Sequence, residues 1–226
     1  MVPTVVIDRA SSPGGEQLVL TQHGQQFSIR VAGVELMSSV NHGSEDELGR
    51  LSCGPLAAAA APHVLIGGLG MGFTLRAALD ALPATARVDI VEIVPDVVRW
   101  NRTVYGQLAN HPLKDPRVNL LEEDVAVVIE RGRDYDAIVL DVDNGPDGVY
   151  RDNRGLYQRR GLEAAYTALR PGGLLTVWSC FESPTFTRWL RSVGFGVELK
   201  AIKAKYKGGP RHCIWFATKP TSRRAA

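Results

Sequence analysis

Cysteine is scarce: the 226-residue chain has three, at positions 53, 180 and 213. The number is odd and the positions are far apart. That argues against a disulfide framework and leaves no metal-ligand spacing, so no metal is expected. Charge of one sign is missing too. The net charge is +2, which makes no case for nucleic acid. The basic residues that gather late, from Lys200, Lys203, Lys205, Lys207 and Arg211 to Arg223-Arg224, read as a solvated face or tail. No signal peptide and no apolar run of bilayer-spanning length is visible, Ala57–Ala61 being too short, so a cytoplasmic protein without a membrane partner is expected. What is there is an ordinary globular balance, 45% hydrophobic and 22% charged. It suits one moderate domain with a small appendage.

The chain is arranged around His63-Val-Leu-Ile-Gly-Gly-Leu-Gly-Met-Gly-Phe-Thr-Leu-Arg76. Val64–Ile66 reads as a buried strand, Gly67, Gly68, Gly70 and Gly72 as a turn, and Phe73–Asp80 as a helix. Strand, glycine turn and helix are how a doubly wound α/β domain makes a nucleotide site. Before this stretch, residues 1–40 hold four short β-rich runs (Thr4–Ile7, Gln17–Leu20, Phe27–Val31, Val34–Met37) separated by turn residues, a small antiparallel meander. Ser44 to Glu47 fits a capping box for a helix running from Glu45 to about Ala60, with Gly54-Pro55 as a break or kink. Beyond the glycine turn, strands at Arg87–Glu92, Arg117–Leu121, Tyr135–Asp141 and Leu174–Trp178 alternate with helices at 96–105, 125–131, 155–169 and 185–193. Arg170–Gly173 reads as a turn, and Gly196–Ile202 with Arg211–Thr218 as a closing pair of strands. The expected architecture is α/β, a Rossmann-like doubly wound, largely parallel seven-stranded sheet with a small N-terminal β meander. The expected division is 1–43 and 44–226. Trp178, Trp189 and Trp215 are expected in or near the core, and Trp100 partly exposed.

Ligands in such sheets bind beyond the carboxyl ends of the strands. Glu92 ends the second strand 20 residues after Gly72, the place for a carboxylate on ribose hydroxyls; a solvated strand end is the alternative. Asp124 follows the third strand, where it can accept from an adenine amino group while the Val125 amide meets a ring nitrogen, or serve as a plain helix cap. Asp141 ends the fourth strand, and a carboxylate there is costly without a partner or a task.

Taken together, Gly68-x-Gly70-x-Gly72, Glu92, Asp124, Tyr135–Asp141 and Leu169-Arg-Pro-Gly-Gly173 resemble the class I S-adenosylmethionine-dependent transferases over residues 63 to about 218. Within that group the chain is most similar to the spermidine synthases (polyamine aminopropyltransferases). The similarity lies in the β-rich start, Val-Leu-Ile before the glycines, Glu92-Ile93, His111-Pro112, Asp115-Pro-Arg-Val118 and Tyr-Asp-x-Ile-x-x-Asp141. The resemblance implies a mechanism. An amine acceptor such as putrescine attacks the carbon beside the sulfonium of decarboxylated S-adenosylmethionine, and methylthioadenosine leaves. Asp141 would be base and amine anchor. Asp143, Asn144 and Tyr157 would line the acceptor side. Gly68, Gly70, Gly72, Glu92, Ile93, Asp124 and Val125 would hold the donor. A homodimer is also implied.

Two departures bear on the chemistry. The family's glycine segment carries an Asp that holds the aminopropyl amine, and here that position is Met71. The family's loop Asp-x-x-Asp-Pro is here Asp141-Val-Asp143-Asn-Gly-Pro146, with Asn144 in place of the second Asp. The family's Tyr-His-Glu segment is also missing, with His42, Glu45 and Glu47 in roughly that stretch. Three readings follow: an aminopropyltransferase-like enzyme, a methyltransferase using intact S-adenosylmethionine, and a non-catalytic relative that kept the fold.

Overall fold

The computed structural model describes residues 2–142, 145–146, 154–204 and 211–221. Asp143 and Asn144 lie outside the described residues, as does 205–210 of the basic stretch. Two sheets organise the rest.

The first sheet is an antiparallel meander of β1 (Thr4–Ser11), β2 (Gln17–His23), β3 (Gln26–Val31) and β4 (Val34–Ser38), in that order. Its alternation turns Leu18, Leu20, Phe27, Ile29 and Val31 to one face. That face packs on Met71, Val94, Val97, Trp100 and Tyr105. The meander therefore covers the glycine turn. Trp100 is fully buried, contrary to the expected partial exposure. Its indole N–H donates to Asp8 Oδ2 on β1 at 2.8 Å, and Arg99 adds a second bond at 2.8 Å. These bonds hold the Asp8 carboxyl at about 2. Trp189 also departs from expectation, remaining 39% exposed.

The second sheet has β5 (His63–Gly67), β6 (Arg87–Val91), β7 (Val118–Leu121), β8 (Tyr135–Leu140), β9 (Leu169–Ser179), β10 (Gly196–Lys203) and β11 (Arg211–Thr218), in the order β10-β11-β9-β8-β5-β6-β7. The five strands from β9 to β7 are parallel; β11 runs antiparallel to β9, and β10 to β11. The chain fills β5, β6 and β7 outward in one direction, then returns to lay β8 on the other side of β5. That reversal opens a crevice at the carboxyl ends of β5 and β8.

Helices cover both faces. Residues of α1 (Gly43–Cys53), α2 (Phe73–Ala81) and α3 (Pro95–Trp100) join one core, among them Leu48, Leu75, Leu79 and Val98. Residues of α4 (Val125–Arg131), α5 (Arg154–Tyr157), α6 (Arg159–Ala168) and α7 (Pro184–Val193) join the other, among them Ile129, Leu162, Phe186 and Leu190. Among the described residues no helix is long and apolar enough to cross a membrane.

Several local expectations are corrected. The capping box does not form. The Gly43 amide bonds to Ala204 O at 2.9 Å, so docking on the end of β10 starts α1 early. His42 is the cap residue, Ser44 lies inside the first turn, and Glu47 pairs with Arg50 instead. The helix ends at Cys53, and Gly54-Pro55 turns it into one 3₁₀ turn. The segment 101–105 widens from α to π geometry. The helix expected at 155–169 is broken at Gln158 into α5 and α6. Arg170–Gly173 is no free turn: it is a wide bulge inside β9, between the pairings of Leu169 with Tyr135 and Leu174 with Ala137.

Two contacts set testable limits. A Cβ at Gly49 would lie 2.4 Å from Thr74 O and 2.8 Å from Ala78 N, both backbone atoms, so only glycine lets α1 sit this close to α2. Gly49→Val is expected to destabilise the fold by about 1–3 kcal/mol through overpacking, read as a lower thermal midpoint; an unchanged midpoint would contradict the packing. Asp89, inside β6, is buried, which raises its carboxyl. Hydrogen bonds from His63 Nε2 (2.8 Å), Asn119 (2.8 Å) and Tyr135 OH (3.0 Å) outweigh this and leave it below its usual value. A depressed folded-state value stabilises the protein above the unfolded carboxylate range and stops doing so as pH falls through the folded value. Asp89→Asn should therefore lower stability at neutral pH and flatten its loss on acidification, measured by denaturant unfolding at several pH values.

Candidate active site

A cavity of ≈ 230 Å³ lies between the first sheet and the carboxyl ends of β5, β6 and β8. Gly68, Gly70, Gly72, Glu92, Ile93, Asp124, Val125 and Asp141 all line it, so sequence positions spread over seventy residues meet in one place. Tyr157 does not line it. Its ring packs edge-on against Phe186 in the core, and its hydroxyl donates to Val142 O at 2.9 Å, which steadies the chain just after Asp141.

The glycine turn is shaped by close approach. Gly68, Gly70 and Gly72 all have positive φ, and a Cβ at Gly68 would lie 2.1 Å from Asp141 O. Side chains at these positions would push β5 away from β8 and fill the crevice floor. Glu92 braces the turn from β6. One carboxylate oxygen accepts from the Leu69 amide at 3.1 Å and the other from the Val94 amide at 2.9 Å. Burial raises its carboxyl, and these amides work against that rise. Each oxygen keeps a second acceptor site. Asp124 caps α4, Oδ1 accepting from the Ala126 amide at 2.8 Å, and lines the cavity as well. The cap reading and a ligand role are thus compatible. Ile93, 44% exposed, is an apolar wall on the same rim.

Asp141 stands at the centre. Thr74 Oγ1, in the first turn of α2, donates to Asp141 Oδ2 at 2.6 Å and lies 3.3 Å from Glu45 O. Burial pushes the Asp141 carboxyl up, and the Thr74 bond opposes this. Glu45, in the first turn of α1, lines the same cavity and is also pushed up, by burial first and by the charge of Asp141 second. The charged residues among the described lining are Glu16, Glu45, Glu92, Glu123, Asp124 and Asp141. All six are acids; no Lys, Arg or His is among them.

Sequence reasoning did not assign Glu45, Thr74 or Trp178 to the site. Trp178 ends the expected fifth strand, which by the strand-end rule was a usable signal. Glu45 was hidden because its place depends on how α1 docks on α2, and no local pattern carries that. Met71 is 3% exposed and packs among the apolar residues under the first sheet.

No protein-family model matches the chain. Putrescine N-methyltransferase 2 of Nicotiana attenuata is 40% identical over 114 residues, covering 50% of this chain and 29% of that protein. Polyamine aminopropyltransferase 2 of Pseudomonas aeruginosa is 35% identical over 119 residues, covering 50% of this chain and 32% of that protein. The match thus spans under a third of the length of either curated relative. Among solved structures, spermidine synthase from Thermotoga maritima superposes with a TM-score of 0.74 at 17% identity, covering 96% of this chain and 73% of that one. A spermidine synthase in complex with the transition-state analogue AdoDATO gives 0.71 at 18% identity, with the same coverage. In fold, a four-stranded meander set over a seven-stranded Rossmann-like sheet, the chain is spermidine synthase-like.

Proposed function

We propose that the protein transfers an aminopropyl group from decarboxylated S-adenosylmethionine to an amine acceptor. The observation that carries this reading is the charge of the cavity: six carboxyl groups and no cationic side chain among the described lining residues. Both reactants of aminopropyl transfer enter as cations, and such a field attracts them. Intact S-adenosylmethionine brings a carboxylate that would meet this field without a counter-charge. When bound, the donor supplies a sulfonium: a C–N bond forms to the acceptor nitrogen while the C–S bond breaks with its electron pair left on sulfur, and one proton is released from an acceptor that arrives as an ammonium.

The chain's own groups have separable tasks in this reading. Glu92 accepts from the ribose hydroxyls with the acceptor sites left over from its two amide bonds. Asp124 and the Val125 amide meet the adenine, and Ile93 offers it an apolar face. Gly68, Gly70 and Gly72 let the donor approach the backbone. Asp141 anchors the acceptor ammonium and accepts its proton, and its raised carboxyl suits a base working near neutrality. Asp143 and Asn144 stay with the acceptor side as part of the proposal. A cytoplasmic homodimer belongs to the same reading, with exposed Val5, Val6 and Ile7 on the edge strand β1 as an apolar surface that supports it. So does the division into a small unit, 1–43, and a main unit, 44–226.

A methyltransferase using intact S-adenosylmethionine is the second reading. Met71 favours it, since a thioether neither holds an ammonium nor repels a carboxylate. The 40% identity to a putrescine N-methyltransferase favours it as well.

With decarboxylated S-adenosylmethionine and putrescine, mass spectrometry should find methylthioadenosine and an aminopropylated amine. Asp141→Asn should lower kcat by about 10²–10⁴-fold with adenosyl-ligand affinity retained. A methylated product, or full turnover by the variant, would contradict the reading. Thr74→Val removes a bond that favours the charged Asp141, so the acidic limb of the rate profile should move to higher pH. A limb that stays put would separate Asp141 from the proton step.

A further inference from the structure

Asp141 is not alone at the reacting end of the cavity. Glu45 lines it as well, brought there by the close crossing of α1 over α2, and Thr74 touches both residues. Behind Glu45 runs a hydrogen-bonded path. Ser44 Oγ donates to Glu45 Oε2 and lies 2.9 Å from His212 Nδ1 on β11. Ser44 is fully buried, while His212 is half-buried. The His212 ring stands edge-on to Trp178, with centroids 4.6 Å apart. Trp178 lines the cavity at 6% exposure, and its buried indole N–H has no partner among the described residues. This wall is one that a bound molecule completes.

We propose that Glu45 acts with Asp141 on the reacting amine, taking the proton that the incoming ammonium must lose and passing it through Ser44 to His212. The inference rests on the aminopropyl-transfer reading and names the proton route for it. In the step, one N–H bond of the acceptor ammonium breaks, its electron pair stays on nitrogen for the attack on carbon, and the proton goes to a Glu45 oxygen. Asp141 remains ionised and holds the amine. Glu45 then gives a proton to Ser44 Oγ as the Ser44 hydrogen moves to His212 Nδ1, and His212 releases one to water.

The electrostatics agree with this direction. Two carboxyls sharing a cavity resist being ionised together until a cation enters. Burial lowers His212, which leaves it neutral and able to accept. The titratable groups facing Glu45 are Asp141, Glu92 and Glu16 across the cavity, His42 on its own helix, and His212 through Ser44. Glu45 also takes up part of the charge that Met71 no longer supplies.

Steady-state rates against pH, with decarboxylated S-adenosylmethionine and putrescine, test the route. Glu45→Gln should lower kcat by about 10²-fold or more and leave methylthioadenosine binding intact. Ser44→Ala should cause a smaller kcat loss with a shifted pH profile. His212→Ala should recover rate when imidazole is added, which a purely structural role would not allow. Variants with wild-type kcat and pH profile, or losses that follow lost methylthioadenosine affinity, would overturn the assignment alone. A wild-type protein that makes no aminopropyl product would overturn the underlying reading, and the assignment with it.

Discussion

The hydroxyl of Thr74 joins the three parts on which the site depends. It belongs to the first turn of α2, donates to the carboxylate at the end of β8, and reaches the backbone of α1 at Glu45. None of this is available to an ordinary side chain packing. Glycine at position 49 lets α1 lie against the Thr74 carbonyl, and glycine at position 68 lets the turn after β5 lie against the Asp141 carbonyl. Removing either freedom separates the elements by more than a hydrogen bond tolerates, and the carboxyl groups lose their shared cavity.

That arrangement gathers like charge, which the fold tolerates only with compensation. Burying an isolated carboxylate is expensive, and the usual outcome is a raised pKa or a bound partner. Glu92 resolves the problem within the protein, through two amide donors. Asp8 and Asp89 do the same with side-chain donors far from the cavity. Asp141 and Glu45 are only partly compensated, by one hydroxyl each. The difference separates carboxylates that hold structure from those positioned to meet a cation.

The glycine turn, Glu92, Asp124 and Asp141 were legible in the sequence because each is tied to a strand end, and strand ends follow from local alternation. The first sheet was legible for the same reason, with Leu18, Leu20, Phe27 and Ile29 alternating to one face. Helix boundaries were less so. The start of α1 is set by a bond from Gly43 to Ala204, 161 residues away in sequence, which overrides the local cap at Ser44. Trp100 looked surface-bound because its helix faces outward from the main sheet, yet the meander folds over it and Asp8 takes its N–H. Tyr157 was assigned to the acceptor side on position along the chain, and packing against Phe186 drew its ring into the core. Glu45 shows the same limit from the other side: a functional position created by tertiary docking leaves no periodic trace.

The central claim is that an all-acidic cavity selects a donor without a carboxylate. Calorimetric titration with decarboxylated and with intact S-adenosylmethionine under identical low-salt conditions tests it most directly. The account predicts tighter binding of the decarboxylated form, with the preference weakening as salt screens the field. Tighter binding of intact S-adenosylmethionine would contradict it and move the protein to methyl transfer.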